Sequence, residues 1–213
     1  MSRDLNPERA RIFRVTHAAN LRWVLTNGLH CANSQVRDPA FVPIGNPDLI
    51  DKRTHRQLPP PHEGTLSDYV PFYFTPWSPM MLNIKTGYGG IRQQRNEDIV
   101  IRVSSLEKLQ AQGVPFVFSD RHAYLQTARF FTDRTSLDQI DWGLLQRRDF
   151  KRDPEKPEKV ERYQAEALVR NQVPVEALLG VACFNETASA RINDDRIATG
   201  RAIQSVITPG WYF

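Results

Sequence analysis

The chain has 213 residues, of which 40% are hydrophobic, and 28 Lys and Arg face 24 Asp and Glu for a formal net charge of +4. That composition excludes a disordered chain, and the lack of any apolar run near the ~20 residues of a bilayer crossing excludes a membrane-spanning helix. The small positive excess permits an anionic partner without requiring one, and the polar start from Met1 to Arg11 carries no secretory signal, so a cytoplasmic, single-domain protein is expected.

In chain order, Ile12 to His17 alternates and is β-branched, which predicts a strand. Ala18 to Thr26 predicts a short helix with Leu21, Val24 and Leu25 on one face, stopped at Asn27-Gly28. From Asn33 to Pro61 prolines recur and periodicity is lost. A long irregular loop is expected there, with at most one helical turn around Pro47 to Arg53, and loops of that length tend to be functional. Tyr69 to Thr75 reads as an aromatic strand, placed at an edge or bulge by Pro71. Asp98 to Val103 and Pro115 to Ser119 read as strands that flank a helix capped by Ser104 or Ser105 and stopped at Gly113. Ser136 to Leu145 reads as helical and Arg147 to Tyr163 as an exposed charged loop. Ala165 to Val169 reads as a strand or a helix end. The chain closes with a strand (Gly180 to Phe184), a helix (Glu186 to Thr199) and a strand (Ala202 to Ile207). Short, irregularly spaced strands with few helices predict an α+β fold with a split or mixed sheet.

Nucleotide-binding signatures of the common kind are absent: no GxGxxG follows a strand and no GxxxxGK[ST] occurs, while Gly87-Tyr88-Gly89-Gly90 lacks a strand–helix frame and reads as a turn. The two cysteines, Cys31 and Cys183, read as buried and reduced. His17, His30, His55, His62 and His122 form no ligand pair, so no metal is expected. Three features carry chemistry. Thr16-His17, followed by Asn20, ends the first strand; a histidine there can donate to a ribose hydroxyl, although by itself it reads first as a capping or packing residue. Ser67 to Leu82 is aromatic and then proline-rich, so Trp77 and the methionines read either as a surface rim able to stack on bases or as a satellite apolar cluster. Glu166 is delivered by a charged loop to the start of Ala167-Leu168-Val169, at a pocket lip or simply on an exposed helix.

Together these segments resemble the DarT family of DNA ADP-ribosyltransferases. The resemblance lies in VTHAANLRWVLTNGLHCANS (Val15 to Ser34), IGNPDLIDKR (Ile44 to Arg53), GTLSDYVPFYFTPWSPMM (Gly64 to Met81), VPFVFSDRHAY (Val114 to Tyr124), LDQIDW (Leu137 to Trp142) and RYQAEALV (Arg162 to Val169), in family order over nearly the whole chain. It implies a toxin, a glycosyltransferase of the pentosyltransferase class, that moves ADP-ribose from NAD to a thymine in single-stranded DNA in a sequence-dependent way. It also implies an antitoxin of the DarG type, whose macrodomain removes the mark. The implied fold is ADP-ribosyltransferase-like: two small mixed sheets flank an NAD cleft, with helical elaborations. Residue by residue, the resemblance implies catalytic roles for Glu166 and Arg53. NAD contacts are implied at Thr16, His17, Ala18, Asn20, Gly45, Leu49 and Arg53. Residues 33–53 are implied to cover NAD, and 120–164 to present the substrate. Tyr73, Trp77, Met80, His122 and Arg162 are expected on the face that receives DNA. Trp77 stands where some members carry a basic residue in TPxSPM.

The implied chemistry needs no metal. Nicotinamide leaves through an oxocarbenium-like transition state, which Glu166 would stabilise while accepting from the ribose 2′-OH. Arg53 would steady either the base as its N3 proton leaves or the NAD diphosphate. A base must be unstacked to react, which favours single strands. An ADP-ribosyltransferase acting on protein or RNA, and a non-enzymatic single-strand binding module, are the alternative readings.

Overall fold

The computed structural model describes residues 4–213. β1 (Arg11–His17) runs through a 3-10 turn (Ala18–Asn20) into α1 (Leu21–Asn27), where Gly28, at φ +85°, turns the chain into β2 (Leu29–His30). There follow α2 (Pro47–His55), β3 (Tyr69–Tyr73), α3 (Pro79–Thr86), β4 (Ile99–Ser105), α4 (Leu106–Ala111), β5 (Phe116–Ser119) and β6 (Phe130–Phe131). The remainder comprises α5 (Trp142–Arg147), α6 (Glu158–Tyr163), β7 (Glu166–Arg170), β8 (Gln172–Val173), β9 (Gly180–Cys183), α7 (Glu186–Thr199) and β10 (Ser205–Ile207).

Eight strands form one mixed sheet in the order β10-β9-β4-β1-β3-β7-β5-β6, and β2 pairs with β8 in a second, two-stranded sheet. Among the described residues only β9 and β10 run parallel, so the fold is α+β and not a wound parallel sheet. The large sheet is nearly two. β1 pairs with β4 over seven register positions and β3 with β7 over five, whereas β1 meets β3 only at Phe13↔Tyr73. In place of the expected two small sheets there is one large mixed sheet, whose two four-stranded halves join at one point, and one small sheet. Pro71 explains the gap and corrects its own expected edge position, because β3 is internal. In an antiparallel strand a residue's amide N and C=O face the same neighbour. The Pro71 carbonyl accepts from Arg14 Nη1 of β1 at 2.8 Å, so the missing N–H faces the opening and costs the β7 ladder nothing.

Two helices were not legible as helices in the sequence. In α3, Ser78 Oγ accepts from Met81 N at 3.2 Å, Pro79 opens the first turn and Gly87 ends it in the left-handed region at φ +74°. A Ser-Pro start with a Gly stop is a helix signal, and the prolines of this stretch, read as breakers, are start residues. Within the expected charged loop, α6 forms because its last residue is an anchor: Tyr163 is buried and its hydroxyl donates to the Trp77 carbonyl at 3.0 Å. The single turn expected near Pro47 is the nine-residue α2, capped by Asn46 Oδ1 accepting from Leu49 N. Ser136 to Leu145 divides into a 3-10 segment (Arg134–Gln139) and α5.

One main apolar cluster joins both halves of the sheet to α1, α3, α4, α5 and α7. Cys31 and Cys183 are free and buried. Among the described residues, no helix is long and apolar enough to cross a membrane.

Candidate active site

The opening between β1 and β3 continues into a cavity of about 520 Å³, floored by Arg14, Thr16, Tyr73 and Glu166 and walled by residues of the 33–53 segment, including Gly45, Leu49 and Arg53. That volume suits a dinucleotide-sized ligand. A separate cleft beside Trp77 and Trp211 measures about 80 Å³, too small for one.

Glu166, the first residue of β7, lies cross-strand from Tyr73 and is 2% exposed. Its Oε2 is 2.9 Å from Arg53 Nη1, and its Oε1 is 3.1 Å from His122 Nδ1 and accepts from Ala123 N at 3.0 Å. Burial alone would raise this carboxyl. The Arg53 guanidinium, the His122 ring and the Ala123 N–H reverse that and hold it at about 2, so it is a carboxylate at any working pH. Arg53 Nη2 is buried without a partner, a donor left over beside the carboxylate. Burial, and then the Glu166 charge, push the Tyr73 phenol above its usual range, so it stays protonated.

The turn after β5 sets this cage. Asp120 is fully buried, accepts from Arg129 N and Arg129 Nε, both at 3.0 Å, and so ties the ends of the 120–129 excursion together. Ser119 Oγ accepts from Glu166 N at 3.2 Å and donates to the Arg121 carbonyl at 2.6 Å, locking the turn to β7. His122 and the Ala123 amide are thereby aimed at Glu166.

The expected NAD-facing residues divide into those on the cavity wall and those off it. Arg14 and Thr16, two apart, both reach the cavity. His17 does not line it: its Nδ1 accepts from Ala19 N at 3.1 Å and caps the 3-10 turn, and Ala18 is also off the wall. In this structure the His17 side chain therefore serves as the cap of the 3-10 turn. Asn20 does line the cavity, but Oδ1 accepts from Val42 N at 2.8 Å and Nδ2 donates to Val42 O at 2.9 Å, so its amide pins the covering segment.

Of the residues expected to meet DNA, Tyr73, Met80 and His122 lie on the cavity wall. Trp77 does not form a rim. It is 2% exposed, its indole N–H donates to Gly210 O at 2.7 Å and Arg148 lies 3.5 Å over its ring, so it belongs to the main apolar core rather than to a rim or a satellite cluster. Arg162 is off the wall and sits 3.9 Å from Asp141. Sequence reasoning missed Arg14; an arginine in the alternating pattern two residues before Thr16 was the available signal. Among the described residues, no group of three or more His, Cys, Asp or Glu could hold a metal.

Comparison with known proteins yields one family and close relatives. Residues 13–213 match the family described as ssDNA thymidine ADP-ribosyltransferase, DarT. A DNA ADP-ribosyl transferase of Escherichia coli O127:H6 is 48% identical over 212 residues, spanning 100% of this chain and 97% of that protein. The structure of Thermus sp. 2.9 DarT in complex with ADP-ribosylated ssDNA superposes with a TM-score of 0.89 at 31% identity, over 97% of this chain and 98% of that one. The same protein in complex with NAD+ gives 0.83 at 31%, over 97% and 99%.

Proposed function

Because the chain belongs to the DarT family of ssDNA thymidine ADP-ribosyltransferases, we propose that its buried Glu166–Arg53–His122 cluster is the centre at which ADP-ribose passes from NAD to a thymine base in single-stranded DNA. The C1′–nitrogen bond to nicotinamide breaks, nicotinamide leaves neutral, and thymine N3 bonds to C1′ as its proton is lost. Glu166 accepts a hydrogen bond from the ribose 2′-OH and its fixed negative charge favours the oxocarbenium-like transition state. A carboxylate held at about 2 is a poor proton acceptor, so Glu166 stabilises charge and does not act as the base. Arg53, with one nitrogen on Glu166 and Nη2 free, supports the base as its N3 proton leaves. Tyr73, Met80 and His122 receive the unstacked base.

The whole chain acts as a single ADP-ribosyltransferase domain, with residues 33–53 covering NAD and 120–164 presenting DNA. As a toxin it requires a partner, and a macrodomain antitoxin of the DarG type fits the chemistry of the mark. The observation that carries this reading is the buried carboxylate between a guanidinium and an imidazole in a dinucleotide-sized cavity.

The test is to incubate the protein with NAD and short single-stranded oligonucleotides and to weigh the products. One ADP-ribosyl unit on thymine-containing DNA, with nicotinamide released, is expected, and a macrodomain hydrolase should remove it. Label on RNA or protein instead would favour the other transferase reading. No nicotinamide release with intact DNA binding would favour a binding module.

A further inference from the structure

Behind the Glu166–Arg53 pair lie two arginines that the reaction has not used. Arg14 and Arg102 are direct cross-strand partners on β1 and β4. Arg102 is 0% exposed; Nη1 donates to Thr16 Oγ1, while Nε and Nη2 are buried without an acceptor. Arg14 is on the cavity wall, with Nη1 on the Pro71 carbonyl and Nε buried without a partner. Among the described residues neither forms an ion pair, and the nearby carboxylate, Glu166, is taken by Arg53. Arg53 and Arg14 both interact with the one carboxylate, and Arg102 lies cross-strand behind Arg14, so three guanidinium groups have a single carboxylate among them, an excess of two positive charges.

Burial lowers both arginines, and neighbouring cations lower them further, Arg14 to about 10 and Arg102 to about 9. Both values lie above neutral pH, so both groups stay charged. A buried cation without a counter-ion is costly, and a ligand that brings negative charge relieves it. The hydrogen bonding points the same way. Arg102 donates to Thr16 Oγ1, so that hydroxyl keeps its own hydrogen for donation, on a residue that lines the cavity. Arg14 and Thr16, on one face of β1, thus present donors, and a phosphate offers only acceptors.

We propose that Arg14 and Thr16, with Arg102 as a positioning residue behind them, form a phosphate subsite in the cavity floor, occupied by the diphosphate of the dinucleotide. The inference rests on the NAD-dependent reaction proposed above. A backbone phosphate of DNA is the other source of the same chemistry.

The test titrates wild type, Arg14→Gln, Arg14→Lys and Arg102→Met with ADP-ribose, with nicotinamide riboside, which has no phosphate, and with a short thymine-containing oligonucleotide. Melting temperatures are recorded without ligand and with inorganic pyrophosphate. Loss of charge-assisted bonds in Arg14→Gln should weaken ADP-ribose binding about ten- to a hundredfold, with partial rescue in Arg14→Lys and no change for nicotinamide riboside. Pyrophosphate should raise the melting temperature of wild type but not of Arg14→Gln. Arg102→Met removes a buried uncompensated charge, so it should raise the melting temperature of the empty protein and still weaken ADP-ribose binding, a combination that a packing role cannot produce. If the loss falls on the oligonucleotide and its salt dependence while ADP-ribose is unaffected, the phosphate is that of DNA. Unchanged binding of both by Arg14→Gln, or a lower melting temperature with unchanged binding in Arg102→Met, overturns the subsite. If wild type fails to bind ADP-ribose, the NAD reaction itself fails, and the pyrophosphate response still decides whether a phosphate subsite exists.

Discussion

A carboxyl taken out of water resists ionisation, yet Glu166 is ionised, because a guanidinium, an imidazole and a backbone amide are all within 3.1 Å of it. Its replacement should therefore have two effects. Glu166→Ala should remove most of the turnover and leave NAD affinity nearly unchanged, because its role belongs to the transition state; Glu166→Gln should be severely impaired, and Glu161→Ala mild. Measured DNA ADP-ribosylation checks this, and near-normal activity in Glu166→Ala would sink the assignment. Stability should suffer too. A cleft-lip carboxylate, as read from sequence, would leave the melting temperature unchanged, but the structure buries this one. Glu166→Ala strands Arg53 and should cost roughly 3–5 kcal/mol. The folded value of about 2 lies below the ordinary 4.5. The pair's contribution is therefore complete above about pH 4.5 and is lost as pH falls toward 2. Melting temperature against pH should show that loss in wild type and less of it in Glu166→Gln.

At the scale of elements, one polar side chain makes paired hydrogen bonds in each of two loops. Asn20 grips both polar atoms of Val42, which anchors the covering segment to the end of the 3-10 turn. Asn20→Ala should loosen that segment, raise the KM for NAD several-fold and quicken proteolysis near residues 36–45, with kcat less affected; an unchanged KM and cleavage pattern would show that other contacts suffice. Asp120 closes the turn that aims His122 and Ala123 at Glu166. Asp120→Asn weakens that clasp, so kcat should fall about tenfold or more while the KM for NAD stays close to wild type. A rise in KM alone would place the turn's importance in NAD binding instead.

For the whole molecule, the architecture puts the candidate site where the two sheet halves part. A net charge of +4 is modest, so DNA is not held by bulk electrostatics alone. Oligonucleotide binding should weaken with salt at a logarithmic slope near −0.7 per phosphate neutralised, and only a few phosphates should be counted. A slope of zero would remove phosphate contacts from the account, and a very steep one would require a basic surface well beyond the cavity.

The longer strands, the apolar positions of α1 and the irregular character of much of the 33–53 segment follow from local pattern, because periodicity and prolines act over a few residues; α3, α6 and the two-residue strands do not. Glu166, Arg53 and the stretches around them were legible through the resemblance of RYQAE and IGNP, which are contiguous. What local pattern does not decide is which end residues of β1 meet the cavity: Thr16 lines it, whereas the His17 ring caps the following turn. The fate of Trp77 depended on Gly210, 133 residues away, and that of Arg14 on Arg102 and Pro71, on two other strands. Sequence pattern determined the elements and the chemistry available to them. Tertiary structure decided which polar groups are enclosed without partners, because burial and counter-charge are supplied by segments far apart in the chain.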